Sequence, residues 1–221
     1  MKKLLLTLPV FAVSMAACAE PYLVLGYGYN TLSHDNTVSF SDGTGLKPDS
    51  SDAVWKAYVG YRFENNFGIE VGYNQFDADA SKNRYLGVDT GKPGGIFGDE
   101  YHKEREWDAM LKAKQINVKP VYFYDVNDRL IVKAGLGLTY TEYKVTGSDA
   151  FEYESIKEDG PEYSELNQIV PGEYQRKMGV TTSLSVEYQI FQGLYLGAEA
   201  SFSHDSVANT NQVIGTAAYH F

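Results

Sequence analysis

Seven charged side chains stand at alternate positions of strand-like runs and share one face of them. They are Lys56 and Arg62 in KAYVGYRF, Glu70 in FGIEVGY, Lys119 in QINVKPVYFYD, Lys133 in RLIVKAGLGLTYTEY, Glu187 in MGVTTSLSVEYQ and Glu199 in LYLGAEASFS. If that face is enclosed, the charges must pair and hydrogen-bond. They then form either a polar plug or the lining of a narrow gated ion path, and the plug is the simpler expectation. A second constellation is His204-Asp205-Ser206, whose outer members share a strand face and could set a serine nucleophile beside a histidine base. A triad needs a third group to orient the histidine. The following strand offers Val213, Gly215 and Ala217 on that face and no carboxylate, so an ordinary loop end is expected. His102 lies near Glu100 and Glu104, yet no HExxH spacing is present, and neither a metal nor a cofactor is expected. The stretch DAFEYESIKEDGPEYSELN interleaves carboxylates with Phe151, Tyr153 and Tyr163. It reads as a solvated acidic face or as a contact surface for a basic partner or divalent cations.

The element that must hold the first constellation is clearest in KAYVGYRFENNFGIEVGYNQF, Lys56 to Phe76. Ala57, Val59, Tyr61 and Phe63 fall on one face, followed after Glu64-Asn65-Asn66 by Phe67, Ile69, Val71 and Tyr73. Lys56, Tyr58, Gly60 and Arg62, then Gly68, Glu70, Gly72 and Asn74, fall on the other. Strict period two in two runs joined by a tight break is an antiparallel hairpin. Bulk on one face, with glycines and mixed charges on the other, suits a barrel with lipid outside and a narrow polar inside. An aromatic content of 14% and a mean hydropathy of −0.33 agree with that and exclude a bundle of membrane helices.

The pattern recurs in PYLVLGYGYN, QINVKPVYFYD, RLIVKAGLGLTYTEY, MGVTTSLSVEYQ, LYLGAEASFS and QVIGTAAYHF. The expected fold is all-β: an eight-stranded antiparallel up-and-down transmembrane β-barrel. Short turns are expected at 64–66, 125–128 and 190–193, facing the periplasm. Loops are expected outside at 31–52, 77–110, 145–176 and 204–211, with room for a helical turn in DEYHKEREWD. Tyr22, Phe63, Phe67, Tyr124, Tyr188 and Phe221 then make a girdle at the turn end, and Tyr29, Trp55, Tyr73, Tyr140 and Phe202 one at the loop end. Pro120 is awkward, since a closed barrel pairs each strand on both sides and a missing donor calls for a bulge or an irregular rung.

MKKLLLTLPVFAVSMAACA, residues 1–19, reads as a secretory signal peptide, leaving 20–221 as the mature barrel. Met15-Ala16-Ala17-Cys18 has the alternative reading of a lipidation box on Cys18. Loss of Lys2 and Lys3 makes the chain more acidic than its formal −10, a poor match for nucleic acid.

GYRFENNFGIEVGY resembles the first periplasmic hairpin of the outer-membrane protein A-like eight-stranded barrels. The last strand, with Tyr219 and Phe221 outward, resembles the terminal signature read by the outer-membrane assembly machinery. Glu70, Lys119, Glu187 and Glu199 fall where that family keeps interior charges, whereas Gly197 stands where an interior arginine would be expected. The acidic, long-looped outline is similar to the accessory colonization factor A type of barrel. The resemblance implies a monomeric, porin-like protein of the Gram-negative outer membrane, embedded in lipid and lipopolysaccharide. Its loops would serve adhesion, host or surface interaction, or envelope integrity. His204 and Ser206 resemble the His-x-Ser of the barrel enzyme that deacylates lipid A, and that enzyme class and the narrow pore are the alternatives to a non-enzymatic protein.

Overall fold

Alternation of bulky and small side chains governs almost every element, and the computed structural model describes residues 19–49, 52–90, 100–157 and 160–221. The strands are β1 (Ala19–His34), β2 (Val38–Ser39), β3 (Gly45–Leu46), β4 (Asp52–Phe63), β5 (Phe67–Asp89), β6 (Tyr101–Asn127), β7 (Leu130–Ser155), β8 (Glu162–Phe191), β9 (Leu194–Asp205) and β10 (Ala208–His220). Eight of them close in the order β1-β10-β9-β8-β7-β6-β5-β4, while β2 and β3 form a separate hairpin. Closure comes from β1, which pairs antiparallel with β10 (Leu25↔Ala217) and with β4 (Leu25↔Ala57). Every strand of the ring therefore has a paired neighbour on both sides, as hydrocarbon requires.

Leu25, Tyr27, Val59, Tyr61, Leu136, Leu184 and Val213 point outward and are exposed. The inward positions carry the buried residues in two apolar clusters. One, toward the turns, contains Tyr22, Val24, Tyr58, Val121, Phe123 and Ile131. The other, toward the opposite end, contains Leu32, Val54, Phe76, Leu111, Tyr143 and Ile214. Interior glycines make room for large neighbours: a Cβ on Gly60 would run into the Tyr22 ring, and one on Gly137 into Lys119 and the Val118 carbonyl. At the turns, Asn66 (φ 63°) and Gly193 (φ 75°) take the left-handed conformation that tight reversal demands.

The loop expectations, the helical turn and one girdle position differ from the structure. Residues 77–89, 101–110, 145–155 and 162–176 are strand, not loop, so β5–β8 rise as a four-stranded platform beyond the closed barrel. DEYHKEREWD holds no helical turn over its described residues, because its backbone is paired on both sides as β6. Outside the apolar layer both faces of a sheet can carry charge, which erases the alternation that reveals strands elsewhere. The 31–52 segment contains the β2–β3 hairpin, and β9 and β10 are joined by little more than Ser206-Val207. Tyr22 is no girdle residue; its place in β1 turns it inward, and it is 1% exposed.

Pro120 produces an irregular rung. Pairing of β6 with β7 lapses between Val118↔Leu138 and Val121↔Gly135 and resumes in the same register. Of the signal-peptide reading over 1–19, residues 1–18, with the lipidation box, lie outside the described residues, and Ala19 pairs with Phe63.

Candidate functional site

Six of the seven charged residues meet inside the barrel. Lys56 Nζ lies 2.5 Å from Glu199 Oε1. Lys119 Nζ lies 2.9 Å from Glu70 Oε2 and 3.5 Å from Glu199 Oε2. Lys133 Nζ lies 2.5 Å from Glu187 Oε1 and 3.4 Å from Glu70 Oε1. Ammonium and carboxylate groups therefore alternate through one connected, buried cluster. Arg62 stands apart at the turn end, 2.5 Å from Asp125 and 2.9 Å from Asn66 Oδ1, with its guanidinium over the Phe123 ring.

Four residues complete the cluster that charge alone does not single out. Tyr22 Oη donates to Glu70 (2.8 Å), Tyr58 Oη donates to Glu199 (3.1 Å), and Lys119 donates to Ser183 (3.0 Å). The His220 ring is 3.4 Å from Glu187 and stacks on Tyr22 at 5.0 Å. All four share the inward parity of the charges, which is the signal that could have found them. A Cβ on Gly197 would run into the Val186 carbonyl, Thr216 Oγ1 and the Glu187 side chain, and the cationic partner of Glu187 comes instead from Lys133. What this arrangement can do is hold charge in place: each carboxylate is engaged by an ammonium and by a second donor.

The other sequence candidates separate. His204 and Ser206 are both exposed, and His204 Nδ1 meets the Asn209 amide oxygen at 2.5 Å rather than a carboxylate. His102 Nδ1 is engaged by the Tyr85 hydroxyl at 3.1 Å, and among the described residues no group of three His, Cys, Asp or Glu is placed to hold a metal. Tyr219 and Phe221 lie edge to face at 4.9 Å on the outer surface, with the Phe221 amide donating to the Pro21 carbonyl.

The platform has its own organisation, which the alternation pattern does not reveal. Its inner face continues the lumen wall through Trp107, Ala109 and Leu111, and the β2–β3 hairpin packs there with Val38, Phe40 and Leu46 on Trp107 and Ala109. Arg105 ties the two together. Its guanidinium makes a two-pronged contact with Asp149 (2.8 and 2.7 Å), reaches Asp42 of the hairpin turn (3.0 Å) and covers the Trp107 ring. The hydrogen bonds from Arg105 hold the Asp149 carboxyl below its ordinary pKa. On the opposite face, a hydrogen bond with Glu152, then partial burial and the charge of Asp108, raise the Glu106 carboxyl to about 7.

The sequence from 4 to 221 matches the family described as outer membrane protein beta-barrel domain. Comparison with curated proteins finds no match. Among solved structures, the chain is similar to Neisserial surface protein A, with 13% identity, a TM-score of 0.54, and coverage of 92% of this chain and 99% of the other. It is also similar to a major outer membrane protein of Thermus thermophilus, with 10% identity, a TM-score of 0.50 and the same coverage. A third similarity is to the attachment invasion locus protein Ail of Yersinia pestis, solved with the heparin analogue sucrose octasulfate. There the identity is 15% and the TM-score 0.48, with coverage of 92% and 99%.

Proposed function

The chain belongs to the outer membrane protein beta-barrel family, and on that premise we propose that it works through the β5–β8 platform as a non-enzymatic surface-contact protein. It resides in the outer membrane of a Gram-negative cell, with its exposed apolar face in lipid and lipopolysaccharide. The contact served is adhesion, host or surface interaction, or support of the envelope. In this reading the short turns face the periplasm, the platform stands outside the cell, and Tyr219 and Phe221 address the assembly machinery.

The observation that carries the proposal is the platform itself. Four strands continue past the rung at Val54↔Phe76, where β4 ends its pairing with β5, and they are braced by a packed hairpin and a shared arginine. A chain that needed only to fill the membrane could turn back at that rung. The alternatives are less well supported. An ion path has to pass a cluster in which every ammonium touches a carboxylate, and a serine hydrolase lacks an orienting carboxylate at His204.

The test is to trim 77–110 and 145–176 to short turns and measure attachment of intact cells. Assembly should survive, read as a folded band that shifts on boiling, and attachment should fall to the level of a strain lacking the protein. Full attachment by a correctly assembled trimmed barrel would end this reading.

A further inference from the structure

The β2–β3 hairpin sits on the platform in the manner of a bound peptide. Each of its strands is two residues long, and they share two rungs, Val38↔Leu46 and Ser39↔Gly45. So small a hairpin has little stability of its own, and its order depends on what it rests on. The platform is shaped for it. Gly147 of β7 leaves the space that Val38 and Phe40 fill, because a Cβ there would come within 2.6 Å of Val38 Cγ1 and 3.2 Å of Phe40 Cζ. Val38 and Phe40 are almost wholly buried against Trp107 and Ala109. Two residues after Phe40, Asp42 places its carboxylate 3.0 Å from Arg105, and the Ser41 amide donates to Gln168 Oε1 at 3.1 Å. The groove thus reads an aromatic side chain, a backbone amide and a carboxylate in succession.

One feature of the groove is left unanswered by its occupant. The indole Nε1–H of Trp107 is buried and has no acceptor among the described residues. A buried donor without a partner is costly, so a ligand that supplies an acceptor there gains over the hairpin.

We propose that this groove, formed by Trp107, Ala109, Gly147, Arg105 and Gln168, is the partner-binding site of the platform, and that the hairpin is its built-in competitor. The partner is a protein segment that turns as the hairpin does, with the Phe40 amide of the hairpin bonded to the Thr44 carbonyl as the pattern, and that carries an aromatic residue two positions before an Asp or Glu; it displaces the hairpin. This rests on the surface-contact reading and names the chemistry of the contact.

The test uses the full-length protein in detergent or lipid vesicles. The probe is a labelled synthetic peptide with the sequence TVSFSDGTGL, residues 37–46. Phe40→Ser with Asp42→Asn weakens the hairpin's hold. The peptide should bind that double variant saturably and bind the unaltered protein at least tenfold more weakly, since the site is filled there. Adding Arg105→Gln or Gly147→Val to the double variant should abolish binding. Boiled and unboiled migration verifies that each variant is a closed barrel. The proposal is overturned if the peptide ignores the double variant, binds it and the unaltered protein alike, or is indifferent to both groove substitutions. Because no cells are involved, that failure is separate from a failure of the attachment test.

Discussion

Lys133 lies opposite Ser185 in the β7–β8 register, yet its ammonium reaches the Glu187 carboxylate at 2.5 Å. Both side chains are buried, and the second ionisable partner of Glu187 among the described residues is His220, at 3.4 Å. The pair is therefore the part of the interior most sensitive to loss of one partner.

Lys133→Ala should destabilise the folded barrel by roughly 3–5 kcal/mol, because it strands a buried carboxylate. Lys133→Met with Glu187→Leu should recover most of that loss, since a buried pair and an apolar pair of similar size differ little. Unfolding in urea from lipid vesicles measures both. Conductance across planar bilayers should not change in the double variant; a rise in conductance at unaltered stability would favour an ion path over a plug.

Gly137→Val should prevent assembly, since any Cβ there would overlap the Val118 carbonyl and the Lys119 side chain. Gly215→Ala is the control. Its new Cβ would find nothing closer than the Tyr27 carbonyl oxygen at 3.7 Å, and it should fold as the parent does. Yield of heat-modifiable protein in outer membranes distinguishes the two.

The platform should tighten as pH falls through neutrality. Glu106 titrates near 7 in the folded chain, against an ordinary 4.5, so the folded form keeps a proton that the unfolded form sheds. The stabilisation is complete below 4.5 and is lost as pH rises through about 7. Nicking within 145–176 by a protease active from about pH 5 to about pH 8 should slow toward the acid end, and Glu106→Gln should flatten the profile. Asp149 acts in the opposite sense and in a lower window. Its depressed pKa means that the Arg105 contact is lost only in acid below the ordinary carboxylate range.

His204→Ala combined with Ser206→Ala should leave the lipid A species of the host membrane unchanged by mass spectrometry. Disappearance of a deacylated species in that variant, with the platform intact, would restore the enzyme reading.

Everything that depends on the two-residue period of a strand can be read from the chain alone. The alternation from Lys56 to Phe76 tells which side chains meet lipid, and the turns at 64–66 and 190–193 follow from where it breaks. These are local properties of the backbone, so neighbouring residues suffice to reveal them. The same parity places Lys119, Glu70 and Glu199 on the enclosed face. Partnership is different, because it is set by the stagger between strands and by the reach of long side chains. That is why Arg62 goes to Asp125 outside the cluster while Lys119 bridges Glu70 and Glu199. Tyr22 and His220 enter the cluster from strands joined only by barrel closure. Beyond the membrane, water accepts polar groups on both faces, so period two ceases to mark a strand, and β5–β8 read as loops there. Asp42 reaches Arg105 and Phe40 reaches Trp107 only once the chain has folded, because these contacts join segments more than sixty residues apart that no local pattern encodes.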